Sequence, residues 1–314
     1  MKDSDEFSFL KKTFKSLGNQ YFDSSGILVG PGDDAGLVKN SKETIYSVDA
    51  SVAGVHFPKY LNPENIAYRA LSTAASDIAA CGGALKWILV SLTIEQSDSD
   101  WLSGFVAGLK SFSDTYHCPI LGGDLSIGKE VNIAVTVGGE LKGKKFITRD
   151  GARVNDIIFL TGKIGMAKIG LDLIQKDFDA IDLSSENVNK FLQPKLSFDF
   201  AQEISDYANS CIDISDGLLA DLGHICTASK VGAKLELKDI PYVGKVEEAM
   251  TWGDDYELCF TTAAVNRDKI HNIAKTFRMD ISEIGEITSD KEVKVYKNGS
   301  LVTFDKRGYN HFNE

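Results

Sequence analysis

An α+β fold divided into two domains is the architecture this sequence predicts, and three observations predict it. The chain has 314 residues, more than one hydrophobic core usually serves. Strand-length apolar runs and helix-length amphipathic runs are mixed without the strict alternation of a doubly wound sheet. A polar stretch from Lys142 to Arg153, holding three lysines, two arginines and two glycines, interrupts the pattern near the middle. It places the domains at 1–147 and 148–314.

The elements follow in order. Residues 4–17 read as an amphipathic segment leading to a Gly-rich turn at Gly30 to Asp34 and a strand near Thr44 to Val48. Asn62-Pro63-Glu64 is a helix start, with Asn62 as the cap and Pro63 in the first turn, and Gly82-Gly83 is a stop. Ile66, Ala70, Thr73 and Asp77 share one face of that helix, so Asp77 projects from its largely apolar side, where burial without a partner is costly. Leu85 to Ile94 reads as a strand, Asp98 to Tyr116 as a helix, and Pro119 to Leu121 and Val131 to Leu141 as a strand pair. In the second half the expected strands are Asp156 to Thr161, Cys211 to Ile214, Tyr256 to Thr262, Ile281 to Ile287 and Val293 to Tyr296. Gly165 to Ile174 and Leu218 to Ala228 are the expected helices.

Composition narrows the function. Hydrophobic residues at 43% and charged residues at 25% are those of an ordinary globular protein. A net charge of -11 with no basic patch argues against a nucleic-acid partner or an anionic membrane surface. Five cysteines stand singly in mostly apolar segments, which reads as buried thiols in a reducing cytoplasm rather than a disulfide or zinc framework. No apolar run reaches membrane-span length, and the N-terminus has no signal-peptide core.

The densest signal is a series of Asp-rich segments expected as turns: Gly32-Asp33-Asp34, Ser47-Val48-Asp49, Ser76-Asp77, Gly122-Gly123-Asp124, Asp213-Ile214-Ser215-Asp216-Gly217 and Gly253-Asp254-Asp255. Each abuts an apolar run. Taken singly, such a segment is a solvated turn or a helix cap. Carboxylates brought together repel by roughly 4 kcal/mol per pair at 4 Å for an effective dielectric near 20, so a cluster calls for cations. Mg2+, held by a few carboxylates together with substrate phosphates, fits that chemistry.

Phosphate-loop motifs of the P-loop, protein-kinase and dinucleotide-binding types are absent, and Gly162-Lys163-Ile164-Gly165 reads as a strand-to-helix turn. Phosphate binding here is therefore expected to be metal-mediated. In the Asp213-to-Gly217 turn, the first amides of a helix starting near Leu218, together with Ser215, could hold a phosphate beside a metal on Asp213 and Asp216. His56 could donate to an anionic substrate or sit satisfied at a strand end. No spacing supports a nucleophile-base arrangement. An acceptor that is itself a phosphate, with a second pKa of about 6, needs no general base at neutral pH.

From Gly30-Pro-Gly-Asp-Asp34 to Gly308-Tyr-Asn-His-Phe312 these motifs, in order, resemble the thiamine-monophosphate kinase family. The most specific stretches are Asp213-Ile-Ser-Asp-Gly-Leu-Leu-Ala-Asp-Leu-Gly-His-Ile225 and Gly253-Asp-Asp-Tyr-Glu-Leu258. The resemblance implies the two-domain fold shared with aminoimidazole-ribonucleotide synthetase. Its N-terminal α/β domain pairs its sheet with a second subunit, giving a homodimer, and its C-terminal α/β domain completes the ATP and substrate site. It implies transfer from ATP to thiamine phosphate, in line and without a phosphoenzyme.

Carried over by position, the resemblance implies Asp34, Ser47, Asp49, Asp77, Asp124, Asp213 and Asp216 as Mg2+ ligands, with Asp49, Asp124 and Asp216 central to catalysis. Gly123, Asp124, Arg149 and Ser215 match ATP contacts, and His56, Asp254 and Tyr309 match contacts to thiamine phosphate. Three departures mark this chain: Val48 for a family Thr, Asp254 for a family Glu with Trp252 beside it, and Leu125-Ser126 after Asp124. A related ATP-using enzyme with another acceptor, or a nucleotide- and metal-binding protein without turnover, are the alternatives.

Overall fold

The computed structural model describes residues 19–29, 37–39, 44–141, 144–177 and 181–309. The opening segment, the first Gly-rich turn from Gly30 to Asp34, and the end of the chain after Tyr309 lie outside the described residues. The chain divides into two compact units, residues 1–78 with 84–141, and residues 79–83 with 142–314.

In the first unit, helix α1 (Phe22–Ser25) and the ribbon β1 (Ile27–Val29) and β2 (Leu37–Val38) precede the main layer. That layer comprises β3 (Thr44–Val52), α2 (Pro63–Ala80), β4 (Ala84–Ile94), α3 (Ser99–Tyr116), β5 (Ile120–Ile127) and β6 (Asn132–Glu140). The sheet order is β3-β6-β4-β5, antiparallel except for the parallel pair β4 and β5. The expected cap at Asn62 forms, its Oδ1 accepting from the Asn65 amide at 2.8 Å, and Asp98, expected inside the next helix, caps it instead, its Oδ1 accepting from Asp100 and Trp101. Helices α2 and α3 bury Ile66, Leu71, Ile78, Phe105, Leu109 and Phe112, and the sheet buries Ile88, Val90, Ile133, Val135 and Val137.

Two expectations change here. Ser47-Val48-Asp49 is not a turn but the middle of β3, and Gly122-Gly123-Asp124 continues β5 past an irregularity in its pairing with β4. Tertiary pairing supplies the backbone hydrogen bonds that overrule the local Gly and Asp preferences.

The second unit holds β7 (Ile157–Thr161), α4 (Met166–Lys176), α5 (Glu186–Leu192), α6 (Phe198–Ile204), β8 (Ala208–Asp213), α7 (Leu218–Ser229) and β9 (Gly232–Glu236). After these come α8 (Val246–Thr251), β10 (Leu258–Thr262), α9 (Arg267–Phe277), β11 (Ile281–Thr288), β12 (Val293–Lys297) and β13 (Ser300–Val302). Its sheet runs β13-β12-β9-β11-β7-β10-β8. Every residue of β7 and β10 is buried, because apolar clusters cover both faces. One face packs Ile158, Leu160, Ile212 and Cys259 with Leu218, Leu222 and Met250. The other packs Phe159, Cys211 and Phe260 with Phe200, Ile270 and Ala274. The sheet is almost wholly antiparallel, the one parallel pair being β12 and β9, which agrees with an α+β rather than a doubly wound class.

Candidate functional site

In the first unit the carboxylates are set out by strand geometry. Alternation along β3 turns Val48 out to solvent, at 65% exposure, and leaves Ser47 and Asp49 half-buried on the opposite face. Ser47 Oγ donates to Asp77 Oδ2 from helix α2, so Asp77 is partnered by a hydroxyl on the sheet. Asp49 stands two residues on, about 7 Å along the strand, and its Oδ1 accepts the Ala50 amide at 2.8 Å. Ser47 and Asp77 are thus joined, with Asp49 on the same face of β3. Asp124, exposed, pairs with Ser91 at the far edge of the sheet. Three strand steps, about 14 Å along the sheet, separate β5 from β3.

His56 Nδ1 accepts the Val52 amide at 3.0 Å, which puts the ring proton on Nε2, and its carbonyl accepts from Arg69 Nε. Tyr116 packs its ring on Phe112, with centroids 4.6 Å apart.

In the second unit the backbone gathers five of the expected residues. Asp213, 4% exposed, ends β8, and the chain turns through Ser215 and Asp216 into α7. The Asp254 amide donates to the Ser215 carbonyl at 2.9 Å, and the Tyr309 amide to the Asp216 carbonyl at 3.0 Å. Gly253, at φ +90°, approaches so closely that a Cβ there would lie 2.1 Å from the Ser215 oxygen, so glycine is required. Asp254 and Tyr256 adopt positive φ angles of 63° and 50°, and the Tyr256 hydroxyl lies 3.3 Å from Asp254 Oδ1. Such uncommon backbone is held only where the surroundings determine it. Trp252 turns its ring to Lys168 of α4, whose Nζ stands 4.7 Å from the ring centroid.

Asp221 was given no role by sequence reasoning, and it organises the turn. Its Oδ2 accepts the amides of Ser215, Asp216 and Gly217 at 3.0, 3.1 and 3.1 Å. The amides of the turn itself are thus engaged by an internal carboxylate, whereas the helix amides expected to hold a phosphate begin one residue later, at Leu218. Burial, and then the charges of Asp213 and Asp216, push the Asp221 carboxyl up to about 8 against the pull of those amides. Ligand atoms of Asp216, Asp221 and His224 lie within 4.8 Å of one another. The signal was present in the sequence: Asp221 shares the buried face of α7 with Leu218, Leu222 and Ile225.

Other expected residues fall elsewhere. Asp255 is buried and caps α4, accepting the Gly165 and Ala167 amides at 2.6 and 3.0 Å. That helix start is thereby filled by protein, in accord with its reading as a plain turn. Glu257 is held by Lys190 and Thr161. The Arg149 carbonyl accepts Ser229 Oγ at 3.0 Å at the C-terminal end of α7. Ser215 precedes the other end, so about 18 Å of helix separates these two positions.

A two-domain protein carrying acidic residues on both units, without a phosphate loop of its own, is the class so defined. Residues 32–141 match the family described as AIR synthase related protein, N-terminal domain, and residues 153–298 its C-terminal domain. The thiamine-monophosphate kinase of Buchnera aphidicola subsp. Schizaphis graminum is 34% identical over 98% of both chains. Among solved structures, thiamine-monophosphate kinase from Stenotrophomonas maltophilia superposes with a TM-score of 0.83 at 29% identity, covering 95% of this chain and 98% of that one. AaThiL complexed with AMPPCP and TMP gives 0.76 at 29% identity, covering 98% and 97%. The chain belongs to the thiamine-monophosphate kinase family within the AIR synthase related proteins.

Proposed function

We propose that this protein transfers the γ-phosphoryl group of ATP directly to the phosphate of thiamine phosphate, giving thiamine diphosphate and ADP. The observation that carries the reading is the family match, which spans both domains and includes a relative complexed with AMPPCP and TMP. An acceptor oxygen attacks the γ-phosphorus as the bond to the β-phosphate oxygen breaks, and ADP leaves. The acceptor phosphate is already ionised at neutral pH, which suits a sequence whose spacing supports no nucleophile-base arrangement.

The donor set suits Mg2+. Asp213, Asp216 and Asp221 crowd one turn, and burial with their mutual repulsion raises Asp221, a state that a hard cation with oxygen ligands relieves. When bound, Mg2+ supplies charge neutralisation and alignment of the transferring phosphoryl group. Asp34, Ser47, Asp49, Asp77, Asp124, Asp213 and Asp216 are the proposed ligands. Gly123, Asp124, Arg149 and Ser215 are the proposed ATP contacts. With Arg149 and Ser215 at opposite ends of α7, they serve different parts of the nucleotide. For thiamine phosphate the contacts are the His56 Nε2 proton, the Asp254 carboxylate and the Tyr309 ring.

Residues 1–147 are assigned to metal and nucleotide binding and dimerisation, and 148–314 to completing the site. The open face of the β3-β6-β4-β5 sheet supports a homodimer, since it leaves Tyr46 and Val48 at 56% and 65% exposure. A cytoplasmic location belongs to the same reading. None of the five cysteines is in a disulfide, and no helix among the described residues is long and apolar enough to cross a membrane.

The test is product formation by the purified protein with ATP and MgCl2, in parallel with thiamine phosphate, free thiamine and no acceptor. Thiamine diphosphate from thiamine phosphate alone supports the reading. ATP binding with no product in any reaction would sink it.

A further inference from the structure

We propose that Asp221 is a positioning residue that holds the Asp213-to-Gly217 turn in its cation-binding form and ties the thiamine-phosphate contacts to it. The inference rests on the function proposed above. The geometry exceeds ordinary helix capping. In a capping box the N3 side chain reaches back to a single amide, that of the cap residue, whereas Asp221, one position further into α7, collects the cap residue Gly217 and the two residues before it on one oxygen. At 1% exposure, that carboxylate fills the concavity of successive amides in which an external anion would otherwise sit.

Drawing the amides inward directs the Ser215 and Asp216 carbonyls to other partners, and those partners are Asp254 and Tyr309, the proposed acceptor contacts. Gly308 seats the Tyr309 segment so tightly that a Cβ on it would lie 2.7 Å from the Asp216 carbonyl oxygen and 2.4 Å from Ala220. Metal and acceptor residues are thus registered to each other through one buried oxygen.

The test compares the parent, Asp221→Asn, Asp221→Ala, Asp216→Ala and Tyr309→Ala as full-length proteins. Mn2+ binding without substrates is read by electron paramagnetic resonance or calorimetry, and KM is measured separately for MgATP and thiamine phosphate. Losing a residue that orients metal ligands typically weakens metal binding by about 10- to 100-fold, and Asp221→Ala is expected in that range with both KM values raised. Asp216→Ala should move chiefly the metal terms, and Tyr309→Ala chiefly the KM for thiamine phosphate. Asp221→Asn keeps an acceptor oxygen but replaces the second oxygen by an NH2 and cannot ionise when a cation binds; it is expected to recover part of the loss, remaining about three-fold weaker for Mn2+.

An Asp221→Ala protein with parental Mn2+ affinity and both KM values unchanged, differing only in melting temperature, would overturn the proposal. If Asp221→Ala does not fold, parental behaviour in the folded Asp221→Asn protein overturns it equally. A parent that binds Mn2+ but makes no thiamine diphosphate would instead count against the function proposed above. In that case the Mn2+ comparison still decides the role of Asp221.

Discussion

Asp49 and Asp216 sit in different units but carry the same proposed duty, and Tyr309 carries another. Removing either carboxylate should abolish turnover with ATP and thiamine phosphate, whereas Tyr309→Ala should mainly raise the KM for thiamine phosphate while kcat stays within a few-fold. Steady-state kinetics that moved all three alike, with kcat intact, would reverse these assignments. Asp255 supports a separate prediction about pH. Burial raises its carboxyl from 3.8 to about 7, against the amides of Gly165 and Ala167. Between about pH 4 and 7 the unfolded chain releases a proton that the folded state retains. The Asp255 contribution therefore favours folding below pH 4 and is lost as pH rises to 7. Relative to the parent, Asp255→Asn should gain stability across that interval, read as the difference in urea midpoints at pH 4.5 and 7.5. A flat difference would mean that Asp255 is already ionised throughout.

Helices α2 and α3 meet through a small residue. A Cβ on Gly108 of α3 would lie 2.1 Å from the Glu64 carbonyl oxygen and 2.8 Å from the Ala67 Cβ on α2. Overpacking at such a contact costs roughly 1–3 kcal/mol, so Gly108→Ala should lower the melting temperature by several degrees, measured by calorimetry. Because α2 carries Asp77 to Ser47, the same change should weaken Mn2+ binding at the first unit. Unaltered stability would show that the helices can separate without loss. Helix α7 works differently, organising the turn before it through Asp221 and anchoring the Arg149 loop after it through Ser229, whose Oγ also accepts the Ala152 amide at 3.1 Å.

For the whole molecule, the open sheet face is the feature to test. Tyr46 and Val48 point away from the helical layer, and the Tyr46 ring stands 5.7 Å from that of Trp87, which packs with Ile27, Leu89 and Leu121. A charge placed there leaves the core of the unit untouched while opposing burial against a second copy. Val48→Glu should therefore convert the proposed homodimer to monomer in sedimentation velocity and keep the circular dichroism of the parent. A parent that sediments as a monomer at every concentration would remove the dimer.

Sequence by itself determined the α+β class, the positions of many helices and strands though not of α5, α6, β9 or α9, and the ordered motifs that define the family. Those rest on local rules: Asn62 and Asp98 cap helices wherever their neighbours are helical, and the apolar runs of β4, β7 and β10 must be buried. Tertiary structure decided what the carboxylates do to one another. It straightened Ser47-Val48-Asp49 into a strand, gave Asp77 a hydroxyl partner, sent Asp255 to cap a helix, and closed the amides of the Asp213 turn onto Asp221. None of these is legible along the chain, because each depends on which distant backbone groups already have partners. A buried amide or carboxylate takes the nearest group able to satisfy it, and proximity is set by the fold.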